Sequence, residues 1–186
     1  MQLVAVDLLG PFPTSATGNK YLLVAMDYFT KWAEAYPIPN MEAATVANIL
    51  ANEMFFRFSP PERLHSGQGK QFDSNHVKEV CRILQIEKRR TSPYHPQYDG
   101  LVERFNCTLL HMLATSCKSN PTNWETYIRP VCFAYNTSTT GYTPHFLMFG
   151  REAKLPVDLL FGTTFTDTTS PDQHARALQK KLAYAY

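Results

Sequence analysis

A mixed α/β sheet with helices on both faces is the fold class this sequence predicts. Three observations point to it. The first 38 residues hold three apolar runs of strand length joined by short links, the pattern of an antiparallel meander. Helix, strand, helix and strand then alternate before a closing series of helices, which places elements on both sides of one sheet. Among 186 residues, 44% are hydrophobic and 13% aromatic, enough to fill a core on each face.

The elements follow in order. Gln2–Leu8 is an apolar run closed by Gly10 and Pro11, a buried strand. The chain starts directly in it, as a fragment of something longer would. Residues 9–19 form a turn-rich loop. Strands follow at Lys20–Met26 and Trp32–Ile38. Asn40 can cap a helix to about Arg57, with Val46, Ile49, Leu50 and Phe56 near one face, and Pro60-Pro61 stops it. Arg63–His65 is a short strand. Asp73 or Ser74 caps a helix to about Leu84, and Ile86–Arg89 is the fifth strand. The prolines and glycine of Thr91–Gly100 read as a loop. A helix runs from there to about Cys117, and another from Asn123 to about Tyr135 with a kink at Pro130. Thr143-Pro144 opens a short helix closed by Gly150. A Thr-rich linker at 163–170 leads into an amphipathic tail. The expected division is a core domain with its C-terminal extension over 1–162, and a linker with a truncated helix over 163–186.

Net charge is only +2, so any nucleic-acid site must be a local patch. Cys81, Cys107, Cys117 and Cys132 form no CxxC pair or zinc-finger spacing and read as reduced, mostly packed thiols of an intracellular protein. No secretion signal or membrane-length apolar run is present, so no membrane partner is expected. The glycosylation-type triplets at Asn106 and Asn136 are then chance matches.

Several residues stand out chemically. Asp7 is a carboxylate inside an apolar strand, where an unpaired charge is costly. It is either a strand-end acid accepting backbone hydrogen bonds or a metal ligand. Glu103 lies in a first helical turn, where the helix dipole alone can explain an acid. Asp27 reads as a turn residue, and Asp73 and Asp99 as caps. Ser66-Gly-Gln-Gly-Lys70 resembles a phosphate loop only superficially. One residue separates its glycines and Gln71 follows the lysine, so nucleotide binding is set aside. Lys88-Arg89-Arg90 is a basic run ahead of Tyr94, His95 and Gln97. It suits phosphate and base contacts, or equally a solvated edge strand protected by charge.

Taken together, these residues resemble the integrases of long-terminal-repeat retrotransposons and retroviruses. Thr91-Ser-Pro-Tyr-His-Pro-Gln-Tyr-Asp-Gly-Leu-Val-Glu-Arg-Phe-Asn106 is similar to the segment bearing their catalytic glutamate. Val6-Asp-Leu-Leu-Gly-Pro-Phe12 is similar to their first catalytic strand. Ala134-Tyr-Asn-Thr, Gly141-Tyr-Thr-Pro, Leu147–Glu152 and Leu155–Asp158 resemble the downstream part of the Ty3/gypsy branch, and the likeness covers residues 2–160. It implies a ribonuclease H-like fold, a five-stranded mixed sheet flanked by helices. It implies polynucleotidyl transfer on DNA, in the nucleus, by a homodimer, with Mg²⁺ or Mn²⁺ held by two aspartates and a glutamate. Two metal ions activate the attacking oxygen and stabilise the leaving one, which is why three carboxylates are required.

The resemblance assigns Asp7 and Glu103 as catalytic and metal-binding residues. Lys88, Arg89, Arg90, Tyr94, Gln97 and Asn106 are the DNA-contact candidates. The family keeps thirty-five residues between its second aspartate and its glutamate, and counting back from Glu103 reaches Gly67. Glycine supplies no ligand. Asp73 is six residues on, and Ser66 is expected to point to another side of the strand end. Metal binding is therefore expected to be weakened and catalysis severely impaired. Cys107 where a basic residue is frequent, Tyr98 where a small one is usual, and a short link from Asn136 to Gly141 depart in the same direction. The zinc-binding N-terminal and DNA-binding C-terminal domains of full-length members have no counterpart in these 186 residues. Two other readings stay open: a working transferase that compensates for Gly67, and a non-enzymatic host-adopted interaction module.

Overall fold

The computed structural model describes residues 1–67, 69–90, 96–118, 120–138, 141–161 and Lys180; for 96–99, Leu159 and Phe161 it describes backbone only. Five strands form one sheet: β1 (Leu3–Leu9), β2 (Tyr21–Asp27), β3 (Ala33–Ile38), β4 (Arg63–Ser66) and β5 (Glu87–Arg90). Their order is β3-β2-β1-β4-β5, with β1 at the centre. The meander β1-β2-β3 is antiparallel, while β4 and β5 continue parallel to β1.

Alternation along β1 assigns the two faces. Val4 and Val6 face a core with Leu23, Ala25, Leu64, Val46, Phe55 and Val77, covered by α1 (Ala43–Ile49) and α3 (Asn75–Ile83). Ala5 faces the other core with Leu22, Val24, Met26, Phe105, Leu109 and Ile128, covered by α4 (Pro96–Ser116) and α5 (Trp124–Asn136). Burying each of these large apolar side chains contributes about 1.5–3 kcal/mol over leaving it exposed. The expected core on each face is therefore present.

Local chemistry sets most element ends. The Asn40 carboxamide accepts from the Glu42 N–H (3.0 Å) and the Thr45 hydroxyl (2.8 Å), so α1 begins at Ala43, after an Asx turn rather than on Asn40 itself. It continues through a π-helical stretch, Leu50–Phe55, into the short α2 (Phe56–Phe58). Ser74 caps α3, accepting from the Val77 N–H. Thr143 caps α6 (Pro144–Phe149) and Gly150, at φ 73°, closes it as expected. A last turn of helix, α7, spans Pro156–Phe161.

The expected caps at Asp73 and Asp99 need correction: Ser74, not Asp73, caps α3. Helix α4 starts at Pro96, inside the stretch read as loop, because proline suits the first helical position. Asp99 thus lies within the helix and is not its cap. Helix α5 spans Trp124–Asn136 with Pro130 inside it, where the kink was expected. The linker and tail beyond Phe161 lie outside the described residues, Lys180 excepted. No described helix is long and apolar enough to cross a membrane.

The outer edge of β3 is closed by side chains. Its even-numbered residues bond to β2, so Ala33, Ala35 and Pro37 turn their backbone groups outward. Asn136 of α5 accepts from the Ala33 N–H (2.9 Å) and donates to its carbonyl (2.8 Å). Pro37 has no N–H to offer. An edge strand is a template for unwanted pairing, and here α5 occupies it.

Candidate active site

The site lies at the C-terminal ends of β1 and β4, under the first turns of α4. Asp7 shares the face of Ala5 and so looks toward α4. Its Oδ1 accepts from the Leu8 N–H (2.8 Å) and its Oδ2 from the Asn106 carboxamide (2.8 Å). The carboxylate is thus held in one orientation by two donors. Asn106 and Glu103 are three residues apart on α4, one turn along the same side of the helix. Val102, Phe105 and Leu109 anchor that helix in the core, while Glu103 stays exposed at its rim.

Gly67 belongs to the same constellation. The parallel register pairs Val6 with Ser66. Continued by one residue, it sets Gly67 beside Asp7. Side chains alternate, so a side chain at 67 would leave the face of Ser66 and join that of Asp7. Among the described residues, its chain neighbours apart, a Cβ built on Gly67 meets no atom within 4 Å, and its backbone is not in the left-handed region. The Cβ of an aspartate therefore meets no steric obstacle there.

Neither neighbour supplies the missing ligand. The Ser66 hydroxyl is buried on the opposite face, donating to the Gly67 carbonyl (3.0 Å) and accepting from the Lys88 ammonium (2.6 Å). Asp73 is ion-paired with Arg90 at the start of α3. Ser66 thus points to another side, as expected, and Asp73 lies just ahead of the helix that Ser74 caps. Among the described residues no three His, Cys, Asp or Glu side chains come together in a way that could hold a metal ion. The oxygen donors suit a hard divalent cation, but two carboxylates do not complete the set that a metal pair needs. The Asn106 Oδ1, in a residue only 6% exposed, has no hydrogen-bond partner among the described residues.

The DNA-contact candidates separate. Asn106 is buried against Asp7, so its geometry is that of a positioning residue and not of a surface contact. The sequence signal for this was its three-residue spacing from Glu103. Lys88 is half-buried, and desolvation pulls its ammonium below the usual lysine range despite the opposing Asp73 charge. Arg89 pairs with Glu87 (2.7 Å) and Arg90 with Asp73, yet their side chains are 50% and 62% exposed. Tyr94 and the Gln97 side chain lie outside the described residues. Asp27 is a turn acid as expected, its Oδ2 accepting from the Thr30 N–H and hydroxyl.

Comparison with known proteins places this geometry. The family model described as "Integrase core domain" matches residues 1–96, just over half of the chain. The chain is 31% identical over 157 residues to the human Gypsy retrotransposon integrase-like protein 1, covering 83% of this chain and 30% of that protein. It is 27% identical over 186 residues to the retrovirus-related Pol polyprotein from transposon 412 of Drosophila melanogaster, covering 98% of this chain and 15% of the polyprotein. The chain therefore spans less than a third of the length of these relatives. The crystal structure of the catalytic core domain of BIV integrase superposes with a TM-score of 0.66 at 25% identity, covering 80% of this chain and 94% of that one. A chain of the simian T-cell lymphotropic virus intasome in complex with the PP2A regulatory subunit B56 gamma gives 0.69 at 19% identity, covering 91% of this chain and 60% of that one, a likeness of fold. The sheet is thus the ribonuclease H-like one.

Proposed function

The chain belongs to the integrase core family, and from that premise we propose that it is a retrotransposon-derived integrase core that binds DNA but joins strands poorly. The observation that carries this reading is the position of Gly67. The Val6–Ser66 register, continued by one residue, sets it beside the Asp7 that Asn106 holds, where the family pattern has its second aspartate. Family members use divalent metal ions, with Asp7 and Glu103 the ligands this chain retains. With one anchor gone, ion affinity and alignment fall together, and either loss can cost orders of magnitude in rate.

DNA contact is assigned to Arg89 and Arg90. Their ion pairs are solvent-exposed, worth about 0–1 kcal/mol each, and can be exchanged for phosphate at small cost. Lys88 is tied to Ser66 and contributes charge rather than a free contact. For assembly, the reading is a homodimer formed on the cleft of about 1010 Å³ between β3, the π-helical stretch and α5, where Phe133 is exposed. With the β3 edge already closed, a second copy must dock there through side chains.

The test is strand joining on a preformed branched DNA with Mn²⁺ or Mg²⁺. Three proteins are compared: the parent chain, Gly67→Asp, and Gly67→Asp with Glu103→Gln. Activity confined to Gly67→Asp is expected. Activity in the parent would overturn the impaired-site reading. Silence in all three folded proteins would favour the alternative, a non-enzymatic interaction module, whose support is the incomplete ligand set itself.

A further inference from the structure

We infer that the outer edge of β5 is a docking site for an acidic, extended segment of a partner protein, added to the sheet as a further strand. This goes beyond the integrase reading and does not depend on it. The two edges of the sheet are finished differently. At β3, Asn136 takes both outward groups of Ala33, and Pro37 has no N–H. At β5, the Glu87 N–H donates to the Glu62 carbonyl (2.8 Å), and the parallel register sets Glu87 beside Arg63 and Arg89 beside His65. Glu87 and Arg89 therefore turn their backbone groups to β4, and Lys88 and Arg90 turn theirs outward. Among the described residues, none of these outward groups has a hydrogen-bond partner.

The side chains decide what fits. Lys88 and Arg90 stand opposite Leu64 and Ser66, on the face covered by α3, and Arg89 points to the other face. Lys88 is tied to Ser66. Arg89 and Arg90 are 50% and 62% exposed, in ion pairs with Glu87 and Asp73 that solvent screens. Three cations against Glu87 alone leave the strand basic. A second copy pairing through β5 would set this basic run against itself, and like charges directly opposite one another destabilise a strand pair. The same charges attract an acidic strand. Two consecutive acids fall opposite Arg89 and Arg90, one on each face, while the backbone groups of Lys88 and Arg90 hold the register. Charge selects the occupant, and main-chain pairing binds it.

The experiment is fluorescence anisotropy on the full chain with a labelled, end-blocked peptide of valine and threonine carrying two central glutamates. Two versions are N-methylated at alternate backbone nitrogens, one at the even positions and one at the odd. Only one of these sets faces the sheet. The unmethylated peptide and one methylated version are expected to bind alike, and the other to bind about tenfold more weakly or worse. A version with lysines for the glutamates is expected not to bind. Arg90→Ala keeps the outward N–H, whereas Arg90→Pro removes it without touching a bond to β4. Proline is therefore expected to weaken binding beyond alanine, with circular dichroism showing both proteins folded. Equal binding of the two methylated peptides overturns the inference, because charge alone then holds them. Equal binding of the lysine version overturns the acidic partner. No binding of the unmethylated peptide by the folded chain overturns the site itself.

Discussion

Asn106 shows how a single side chain changes meaning once its surroundings are known. In sequence it is a polar residue next to a candidate glutamate, open to a DNA-contacting role. In the structure it is buried and donates to Asp7. Asn106→Ala leaves the carboxylate short of one donor, and hydrogen bonds to charged groups contribute about 1.5–3 kcal/mol. We expect a stability loss of that size in urea unfolding, with DNA affinity unchanged. Weakened DNA binding at unchanged stability would return Asn106 to the contact surface. Burial also sorts the cysteines. Cys107 is exposed, while burial pushes the thiols of Cys81, Cys117 and Cys132 up, that of Cys132 to about 12. A native-state thiol reagent is expected to modify Cys107 alone, with the other three reacting only after unfolding. The glycosylation-type asparagines, Asn106 and Asn136, are both buried, which agrees with reading those triplets as chance.

At the level of elements, α5 does two jobs. Its apolar side, with Ile128, Val131 and Cys132, fills the core under β3. Its last residue, Asn136, satisfies the outward N–H and carbonyl of Ala33. Asn136→Ala strands two buried backbone groups and reopens the sheet edge. The expected cost is about 2–4 kcal/mol, together with concentration-dependent light scattering at temperatures where the parent stays clear. Loss of stability without scattering would mean that other features guard the edge. The β1–β2 loop is tied to the same helix. Trp124 donates to the Pro13 carbonyl (2.7 Å), and Glu125 accepts from Thr17 and Asn19. Glycine is obligatory in that loop at Gly10, whose φ of 123° and approach to the Lys20 carbonyl leave no room for a side chain.

For the molecule as a whole, the acid side of its stability profile carries the mark of Glu34. Burial holds this carboxyl above its ordinary value of 4.5, outweighing Arg57 and the Trp32 indole N–H. The folded state therefore favours the protonated form. The contribution is fully present below the ordinary value and is lost as pH rises through the raised one. Glu34→Gln is expected to flatten that part of the profile in urea midpoints taken from acid to neutral pH. Parallel profiles for the two proteins would show that Glu34 does not set the slope. DNA binding should weaken steeply with salt if Arg89 and Arg90 meet phosphates, and Arg89→Ala with Arg90→Ala should reduce the slope by about 2 on a logarithmic scale.

The sequence by itself determined the sheet, its two covered faces and the order of its elements. Those follow from apolar runs of strand length, helical periodicity and turn residues such as Ser74, Thr143 and Gly150, all of which act over a few positions. It also placed Asp7, Gly67 and Glu103 by motif and spacing. Tertiary structure decided what those residues touch. Only the parallel pairing of β1 with β4 sets Gly67 beside Asp7, and only the seat of α4 brings Asn106 onto that carboxylate. Only the folded chain shows Lys88 turned to Ser66 and Arg90 to Asp73. The start of α4 at Pro96 was missed because proline and glycine mark loops and first helical turns alike. The physical reason is range: local pattern fixes an element's type and its buried side, whereas contacts between residues sixty or a hundred positions apart exist only after the layers have packed.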